Sequence, residues 1–242
     1  MIGHVLALTF LGALILLDKS AFGEFGLSQP IVSCSIVGLI FGNFQIGLFL
    51  GVLLQLIWIW DLPLGSREPQ DSEAAGVVAI IVFLFLKRFS ITIKEEQALF
   101  VSLLLAAAAA ILGQVTQKFL KHHNNRLLRY YRLATLQYNN NLPNVHKAAV
   151  SDINKIFSKA IALGVLWSFV RNFSLILFFI IITCLSITPI KNLPQFSIRD
   201  LIIIPLVISA SNLLKFIVLE KNYILTILGA ISGILVWALL IF

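Results

Sequence analysis

The sequence predicts an all-α, polytopic membrane protein with roughly seven to nine membrane-embedded helices, including a broken or re-entrant helix pair. The first observation is composition: 59% of the 242 residues are hydrophobic and only 12% are charged. A soluble domain is about half apolar and about a quarter charged, so this chain needs lipid around it. The second is a series of apolar runs along the chain, and the third is one run too long for a single span. Inverted repeats are compatible with this class, since they leave little trace in a sequence.

The overlong run extends from Ile31 to Trp60 and contains a turn signal, Gly42-Asn43, near its centre. Because a span needs about 20 residues, two shorter helices joined at this turn fit better than one. Pro30 suits the first turn of the earlier helix, where no backbone N–H is required. The pairs Gly38/Gly42 and Gly47/Gly51 have the spacing that allows backbones to approach closely in lipid. We therefore expect close helix contact here, and a face on which a second membrane subunit could pack.

Further apolar helices are predicted on both sides of this pair. Val5 to Leu17 is interpreted as a retained first helix, since it lacks the basic start and the cleavage site of a signal peptide. A loop is predicted from Thr188 to Asp200. The remaining predicted spans are Ala74 to Leu86, Ala98 to Gln117, Leu201 to Leu219 and Tyr223 to Phe242.

The segment from Lys118 to Asn144 is rich in Lys and Arg and has no acidic residue. In a membrane protein this bias marks cytoplasmic segments. Its interleaved tyrosines also fit RNA binding, but its place between apolar spans favours a basic cytoplasmic loop and no nucleic-acid partner. We therefore divide a single domain, 1–242, into residues 1–117, the loop 118–144 and the C-terminal helices 145–242.

A charged residue interrupts the apolar stretch near the middle of the C-terminal part. An amphipathic helical pattern begins at Val145, and Arg171-Asn172 then breaks the apolar stretch from Ile161 to Ile187. An Arg is costly in lipid unless it snorkels or faces a polar cavity. Arg171 therefore marks either a helix end at the membrane interface or a polar site inside the bundle.

The usual motifs of soluble enzyme chemistry are missing from the sequence. It has no phosphate-binding P-loop, no G-x-G-x-x-G, no H-E-x-x-H and no Cys/His cluster at metal spacing, so no cofactor or metal is expected. Cys34 and Cys184 lie in apolar runs and are interpreted as packed free thiols. These absences favour a transporter or a binding protein over an enzyme.

The first half of the chain resembles the membrane subunit IIC of the mannose/fructose/sorbose family of the bacterial phosphotransferase system. The resemblance covers residues 17–117. The residues that carry it are Leu17-Asp18, Gln29-Pro30, Gly38-Leu39, Gly42-Asn43, Gly47, Gly51, Gln55, Gly65, Pro69 with Asp71, and the Ala-rich segment Ala106 to Ala110 followed by Gly113-Gln114.

This resemblance implies a sugar-translocating permease subunit in the bacterial inner (plasma) membrane. It implies a second membrane subunit, IID, and cytoplasmic IIA and IIB proteins that carry the phosphate, so the chain itself would not be the phosphorylated enzyme. It further implies a hexose-class substrate, a hetero-oligomer, and a sugar-binding core that moves against a scaffold.

Carboxylates and amides suit a sugar site, because they form hydrogen bonds with hydroxyl groups. In addition, ionisable residues near membrane depth are by default candidates for a functional site. The candidate substrate-binding residues are Gln55, Asp71, Asp61, Gln114 and Asn43. Three family positions lose a charge here: Gln29 replaces a basic residue, Asn43 an Asp and Gln55 a Glu, and an extra Gln70 separates Pro69 from Asp71. These departures leave open an alternative, a membrane binding or scaffold protein without coupled phosphotransfer.

Overall fold

Every secondary-structure element in the described part of the chain is helical, which confirms the all-α class. The computed structural model describes residues 2–19, 23, 25–58, 70–89, 93–140, 146–194 and 197–218. The predicted span from Tyr223 to Phe242 lies outside these residues. In chain order the helices are α1 (Ile2–Ile15), α2 (Pro30–Ile40), α3 (Phe44–Trp58), α4 (Ser72–Phe89), α5 (Glu95–Asn140), α6 (His146–Leu185), α7 (Ile187–Lys191) and α8 (Ile198–Val218).

The overlong apolar run forms two helices, α2 and α3, as predicted. Pro30 occupies the first turn of α2, and Gly42 has a φ of 72° in the turn that follows Ile40. Glycine adopts this left-handed conformation without the steric cost that a Cβ brings. The amide of Asn43 donates to the Gly38 carbonyl at 2.7 Å, which closes the turn. The chain therefore reverses direction within a few residues and lays α3 back along α2.

The predicted close approach of backbones occurs between α2 and α3 themselves. A Cβ on Gly38 would lie 3.0 Å from the Cα of Gly47, and a Cβ on Gly47 would overlap the carbonyl oxygen of Cys34. Gly51 lies against the backbone of Ile31, and a Cβ on Gly51 would lie 2.8 Å from the Cα of Ile31. The expectation that these glycines form a face for a second subunit is therefore wrong for Gly38, Gly47 and Gly51, because their contact surface is already used inside the chain.

Helix α4 forms the centre of the core. All of its residues from Ala74 to Leu86 are buried, and α1, α2, α3, α5 and α6 all contact it. A helix that is apolar on every side needs neighbours on every side. The predicted span from Ala74 to Leu86 is therefore a helix surrounded by protein.

Over residues 118–140 the predicted basic loop is wrong as secondary structure, because α5 continues as a helix to Asn140. Residues 141–144 of the predicted loop lie outside the described residues. Residues 118–140 contain neither Gly nor Pro, and leucines recur along them. Leu120 is 8% exposed, and the ring of His123 contacts that of Trp167 in α6 with centroids 5.1 Å apart. Because no Gly or Pro interrupts this segment and its first part contacts α6, the helix continues beyond Gln117.

The predicted loop from Thr188 to Asp200 contains one short helix, α7, and α8 begins two residues before its end. Proline at position 189 falls inside α7. Helix α6 runs without interruption from His146 to Leu185, so the interpretation of Arg171 as a helix end is wrong.

Large apolar side chains remain exposed on the outer helices. Phe119 is 72% exposed and Leu185 is 78% exposed. Within the part of the chain that the structure describes, two helical segments are long and apolar enough to cross a membrane, Glu95–Arg126 and Ser158–Leu185. Three shorter apolar helices accompany them: Gly3–Ile15, Pro30–Ile40 and Phe44–Trp58. Exposed apolar surface of this kind is what a lipid-facing protein needs, and the number of membrane-embedded helices stays a prediction.

We predict that Gly47→Ala lowers the thermal stability of the detergent-purified protein, whereas Gly3→Ala leaves it unchanged or raises it slightly. The added methyl group at position 47 meets the Cys34 carbonyl, while nothing lies within 4 Å at position 3. Overpacking costs about 1–3 kcal/mol, and replacing Gly by Ala within a helix gains up to about 1 kcal/mol. Unfolding midpoints followed by intrinsic fluorescence measure the difference. Equal midpoints for the two variants would show that α2 and α3 are not in backbone contact.

Candidate functional site

Asp71, one of the predicted site residues, lies immediately before α4 and is buried, with 3% of its surface exposed. Its Oδ1 accepts a hydrogen bond from the Ala74 amide at 3.3 Å, which satisfies one of the free amides at the start of α4. Its own amide donates to the Ala110 carbonyl of α5 at 3.3 Å. Asp71 is therefore held by the backbones of two helices.

Arg171 of α6 connects Asp71 to the neighbouring helix α5. Its Nη2 donates to Oδ2 of Asp71 at 2.5 Å and to the Gly113 carbonyl at 2.6 Å. Its Nε donates to Oγ1 of Thr116 at 2.9 Å. The side chain is 11% exposed. A guanidinium has five donors in a rigid fork, so one side chain can bind a carboxylate and two acceptors of α5 at once.

Lys19, which follows the end of α1, adds a second positive charge. Its ammonium donates to Glu73 in the first turn of α4 and lies 3.5 Å from Oδ1 of Asp71. Lys19 is 21% exposed and Glu73 is 18% exposed. Lys19, Asp71, Glu73 and Arg171 form what we call the ion cluster, in which two positive charges face two negative charges. Charges taken out of water require such pairing, so the cluster is neutral as a unit.

Gly113 allows α5 to approach the ion cluster. A Cβ on Gly113 would lie 2.7 Å from the Cβ of Asp71 and 2.8 Å from its Oδ2. Any side chain here would displace the carboxylate that Arg171 binds. The Ala-rich segment followed by Gly113 thus has a direct physical role, which is to present bare backbone to Asp71 and to Arg171.

Asp18, beside Lys19, organises the connection between α1 and α2. It is 3% exposed, and its Oδ1 accepts from the Phe25 amide at 2.9 Å. Its Oδ2 accepts from the Ser28 amide at 3.2 Å. The carboxylate thereby fixes the turn that leads into Pro30, and it positions the end of α1 from which Lys19 reaches the ion cluster.

Of the other predicted site residues, Gln55 has the most informative environment. It lies on α3, and its Oε1 is buried without a hydrogen-bond partner among the described residues. Buried polar atoms usually have a hydrogen-bond partner, so this atom makes Gln55 a candidate for contact with a ligand. Gln114 lies on α5 next to Gly113 and is partly buried. Asp61 lies outside the described residues.

Asn43 lies far from the ion cluster. Its side chain donates to the Phe41 carbonyl at 3.0 Å, and it lines a cavity together with Leu84 and Arg88 at the other end of α4. The 13 to 17 residues that separate Asp71 from Leu84 and Arg88 correspond to about 20–25 Å of helix. The structure therefore brings Asn43 and Asp71 to opposite ends of α4.

The list of sequence-predicted site residues omits three members of the ion cluster, Lys19, Glu73 and Arg171. The position of Arg171 inside an apolar stretch was compatible with a helix end or with a polar site in the bundle. The unbroken helix α6 excludes the helix end. Nothing in the sequence shows that residues 52 and 100 positions apart meet, as Lys19 and Arg171 do with Asp71.

The arrangement offers hydrogen-bonding and charged groups and no reactive nucleophile. Oδ1 of Asp71 accepts from the Ala74 amide and pairs with Lys19, and Oδ2 accepts from Arg171. A ligand with several hydroxyl groups can replace such contacts, because a hydroxyl both donates and accepts. The chemistry of the cluster therefore suits recognition of a neutral polar molecule.

Characterised proteins of one kind match part of the chain. The chain is 28% identical over 100 residues to the PTS system sorbose-specific EIIC component of Klebsiella pneumoniae, across 41% of this chain and 34% of that protein. It is 34% identical over 65 residues to the protein of the same name from Lacticaseibacillus casei, across 27% of this chain and 24% of that one. It is 26% identical over 110 residues to the PTS system mannose-specific EIIC component of Escherichia coli (strain K12), across 46% of this chain and 38% of that protein. These matches thus span about a quarter to two fifths of the length of the relatives.

Two further comparisons cover most of the chain. A solved structure described as "Structure of membrane protein" superposes with a TM-score of 0.53 at 17% identity, over 98% of this chain and 95% of that one, and so shares its fold. The family model of the PTS system sorbose-specific IIC component matches residues 2–229. Its match extends well beyond the segment in which the family motifs were recognised, so the resemblance found in the sequence is confirmed. The chain belongs to the family of the PTS system sorbose-specific IIC component.

Proposed function

We propose that this chain is the sugar-translocating membrane subunit, IIC, of a phosphoenolpyruvate-dependent phosphotransferase system. The observation that carries the proposal is the family match over residues 2–229, supported by partial matches to sorbose- and mannose-specific components. The exposed apolar surfaces of α5 and α6 support a place in the bilayer, and we propose the bacterial inner membrane with several crossings. The direct test is uptake of labelled sugars by cells that express the complete permease.

The proposed partners follow from the same family relationship. A second membrane subunit, IID, would complete the translocation unit, and cytoplasmic IIA and IIB proteins would phosphorylate the arriving sugar. A hexose-class substrate fits the names of the relatives, which are sorbose- and mannose-specific components. In this scheme the chain binds and moves the sugar and is not itself a phosphotransferase.

The proposed sugar contacts are Gln55 and Asp71, for which the structure supplies physical support. Oε1 of Gln55 is a buried acceptor without a donor in the part of the chain that the structure describes, and a sugar hydroxyl would supply one. Asp71 is engaged by Lys19 and Arg171, so a sugar would have to exchange with those contacts. Because the ion cluster is neutral, a neutral ligand can enter without leaving a net charge in the bundle. Asp61, Gln114 and Asn43 stay candidate contacts.

The alternative function is a membrane binding or scaffold protein of the same family that has lost coupled phosphotransfer. The observation that favours it is the loss of charge at Gln29, Asn43 and Gln55 relative to the family pattern. The two functions differ in one measurable respect: a transporter accumulates phosphorylated sugar in the cell, whereas a binding protein retains sugar affinity without uptake.

We predict that Gln55→Leu weakens apparent sugar affinity in the uptake assay by roughly 5- to 150-fold, because losing one partner of a buried hydrogen bond costs about 1–3 kcal/mol. Asp71→Asn is expected to weaken it at least as much, since a charged acceptor becomes neutral. Gln45→Leu is the matched control, because Gln45 lies on the same helix and is exposed. Membrane levels are checked by immunoblot. Unchanged affinity and rate in both site variants at normal levels would exclude this site.

We predict a strong energetic coupling between Asp71 and Arg171. Asp71→Asn and Arg171→Gln should each destabilise the purified protein by about 3–5 kcal/mol, since each leaves a buried charge without its partner. The double variant should lose much less than the sum of the two. The control is Lys87→Gln with Glu95→Gln, an ion pair whose side chains are 47% and 48% exposed and which should contribute less than about 1 kcal/mol. Additive losses in a thermal-unfolding cycle would contradict a direct pair.

We predict that the end of α5 beyond Gln117 lies in the cytoplasm, because residues 97–151 contain Lys and Arg but no acidic residue. In a Cys184→Ala background, which removes the exposed native thiol, a cysteine at His122 should resist an impermeant thiol reagent in intact cells and react after permeabilisation. A cysteine at Lys94, at the other end of the apolar part of α5, should react in intact cells. The reverse labelling pattern would invert the topology.

A further inference from the structure

A separate cavity of about 220 Å³ lies at the end of α4 opposite the ion cluster. It is formed where three elements meet: α1 contributes His4 and Leu8, the α2–α3 turn contributes Phe41 and Asn43, and α4 contributes Leu84, Lys87 and Arg88. One water occupies about 30 Å³ of liquid, so the space exceeds that of a few ordered waters. Neither the family match nor the proposed sugar contacts, apart from Asn43, account for it.

The polar residues at this cavity are positively charged or neutral. Lys87 and Arg88 lie in the last turn of α4. His4 also lines the cavity, and its ring contacts that of Phe41 with centroids 5.7 Å apart. Among the described residues, no Asp or Glu lines the cavity. Glu95 reaches Lys87 from outside at 3.2 Å in an exposed pair, and such pairs are weak enough to exchange for another anion. Arg88 has no acidic partner among the described residues, so the cavity carries an excess of positive charge.

The deeper wall of the cavity is apolar. Leu8 is 2% exposed and Leu84 is 6% exposed, so this part of the lining belongs to the hydrophobic core. Its surroundings are apolar as well, because Leu39, Ile40 and Phe44 of the α2–α3 hairpin are 65%, 57% and 45% exposed. A ligand that fits has an anionic group for Lys87 and Arg88 and an apolar part for the hairpin surface.

We propose that this cavity binds a phosphate group, through Lys87 and Arg88, that is carried by an anionic phospholipid headgroup or by a soluble phosphate ester. Lys and Arg side chains near the membrane surface attract the phosphate of anionic phospholipid headgroups. The exposed apolar residues beside the cavity favour the lipid as the source, because acyl chains would cover them. The phosphate oxygens accept from the ammonium of Lys87, which leaves Glu95, and from the guanidinium of Arg88.

The test measures thermal stabilisation of the full chain, purified in detergent with any partners that copurify. The probes are phosphatidylglycerol, phosphatidylcholine as the zwitterionic lipid and glycerol 3-phosphate as the soluble ester. The site variant is Lys87→Gln/Arg88→Gln. The matched control is Lys94→Gln/Lys191→Gln, which removes the same charge from exposed residues that do not line the cavity. Arg88→Gln alone is the reserve variant, should the double variant fold poorly.

Phosphatidylglycerol should stabilise the unaltered chain and the control, and phosphatidylcholine should stabilise neither. Each basic residue near anionic lipid contributes about 1 kcal/mol, so the double variant should need roughly 30-fold more phosphatidylglycerol and Arg88→Gln roughly 5-fold more. Stabilisation by glycerol 3-phosphate that the site variant loses would equally support the site and identify a soluble ester as its source. Equal responses of the site variant and the control to every probe would overturn the proposal.

Discussion

The contact between Arg171 and Asp71 is the constraint on which the arrangement of the central helices depends. It joins the start of α4 to the middle of α6, and the same guanidinium binds the Gly113 carbonyl of α5. Apolar side chains alone would allow α4, α5 and α6 to slide along one another, because lipid and protein interior are about equally apolar. A buried charge that must find one partner removes this freedom, since each misalignment leaves an ion unpaired. The register of three helices is thus set at one level of the bundle.

Glycines allow the helices around the ion cluster to pack closely. Gly113 leaves room for the carboxylate of Asp71, and Gly76 lies against Pro30, with 2.9 Å between a Cβ placed on it and the Cα of Pro30. Gly12 faces Val77, Ile81 and Ile176, each within 3 Å of such a Cβ. Through these contacts α1, α2 and α5 approach α4 or the residue before it, and α1 approaches α6, more closely than ordinary side chains permit. The glycines and the charges act together. The glycines allow the helices to approach, and the charged pairs fix the register of the helices.

The sequence predicted those parts of the fold that depend on local chemistry. The turn at Gly42-Asn43 and the start of α2 at Pro30 follow from residues that constrain the backbone wherever they occur. The usual length of a membrane span and the charge of a segment were less reliable guides to secondary structure. The basic stretch after Gln117 was predicted as a loop, although the lack of Gly and Pro allows the helix to continue. Asp71 was identified from a motif, but its partners Lys19 and Arg171 were not, because contacts across 52 and 100 positions depend on how helices pack. Likewise, the spaced glycines predicted close contact correctly but not which helix would provide it.

Because α5 continues as a helix beyond its apolar part, a small change in its angle moves its far end by a large distance. Residues 118–140 add about 34 Å to α5 at 1.5 Å per residue, more than the roughly 30 Å thickness of a hydrocarbon core. Because Arg171 holds α5 at Gly113, five residues before this segment begins, a change in the angle of α5 at that point is magnified along its length. A tilt of 10° at Gly113 would carry the backbone at Asn140 sideways by about 7 Å. Small rearrangements beside a buried ion pair would therefore be converted into displacements large enough to alter contacts at the far end of α5.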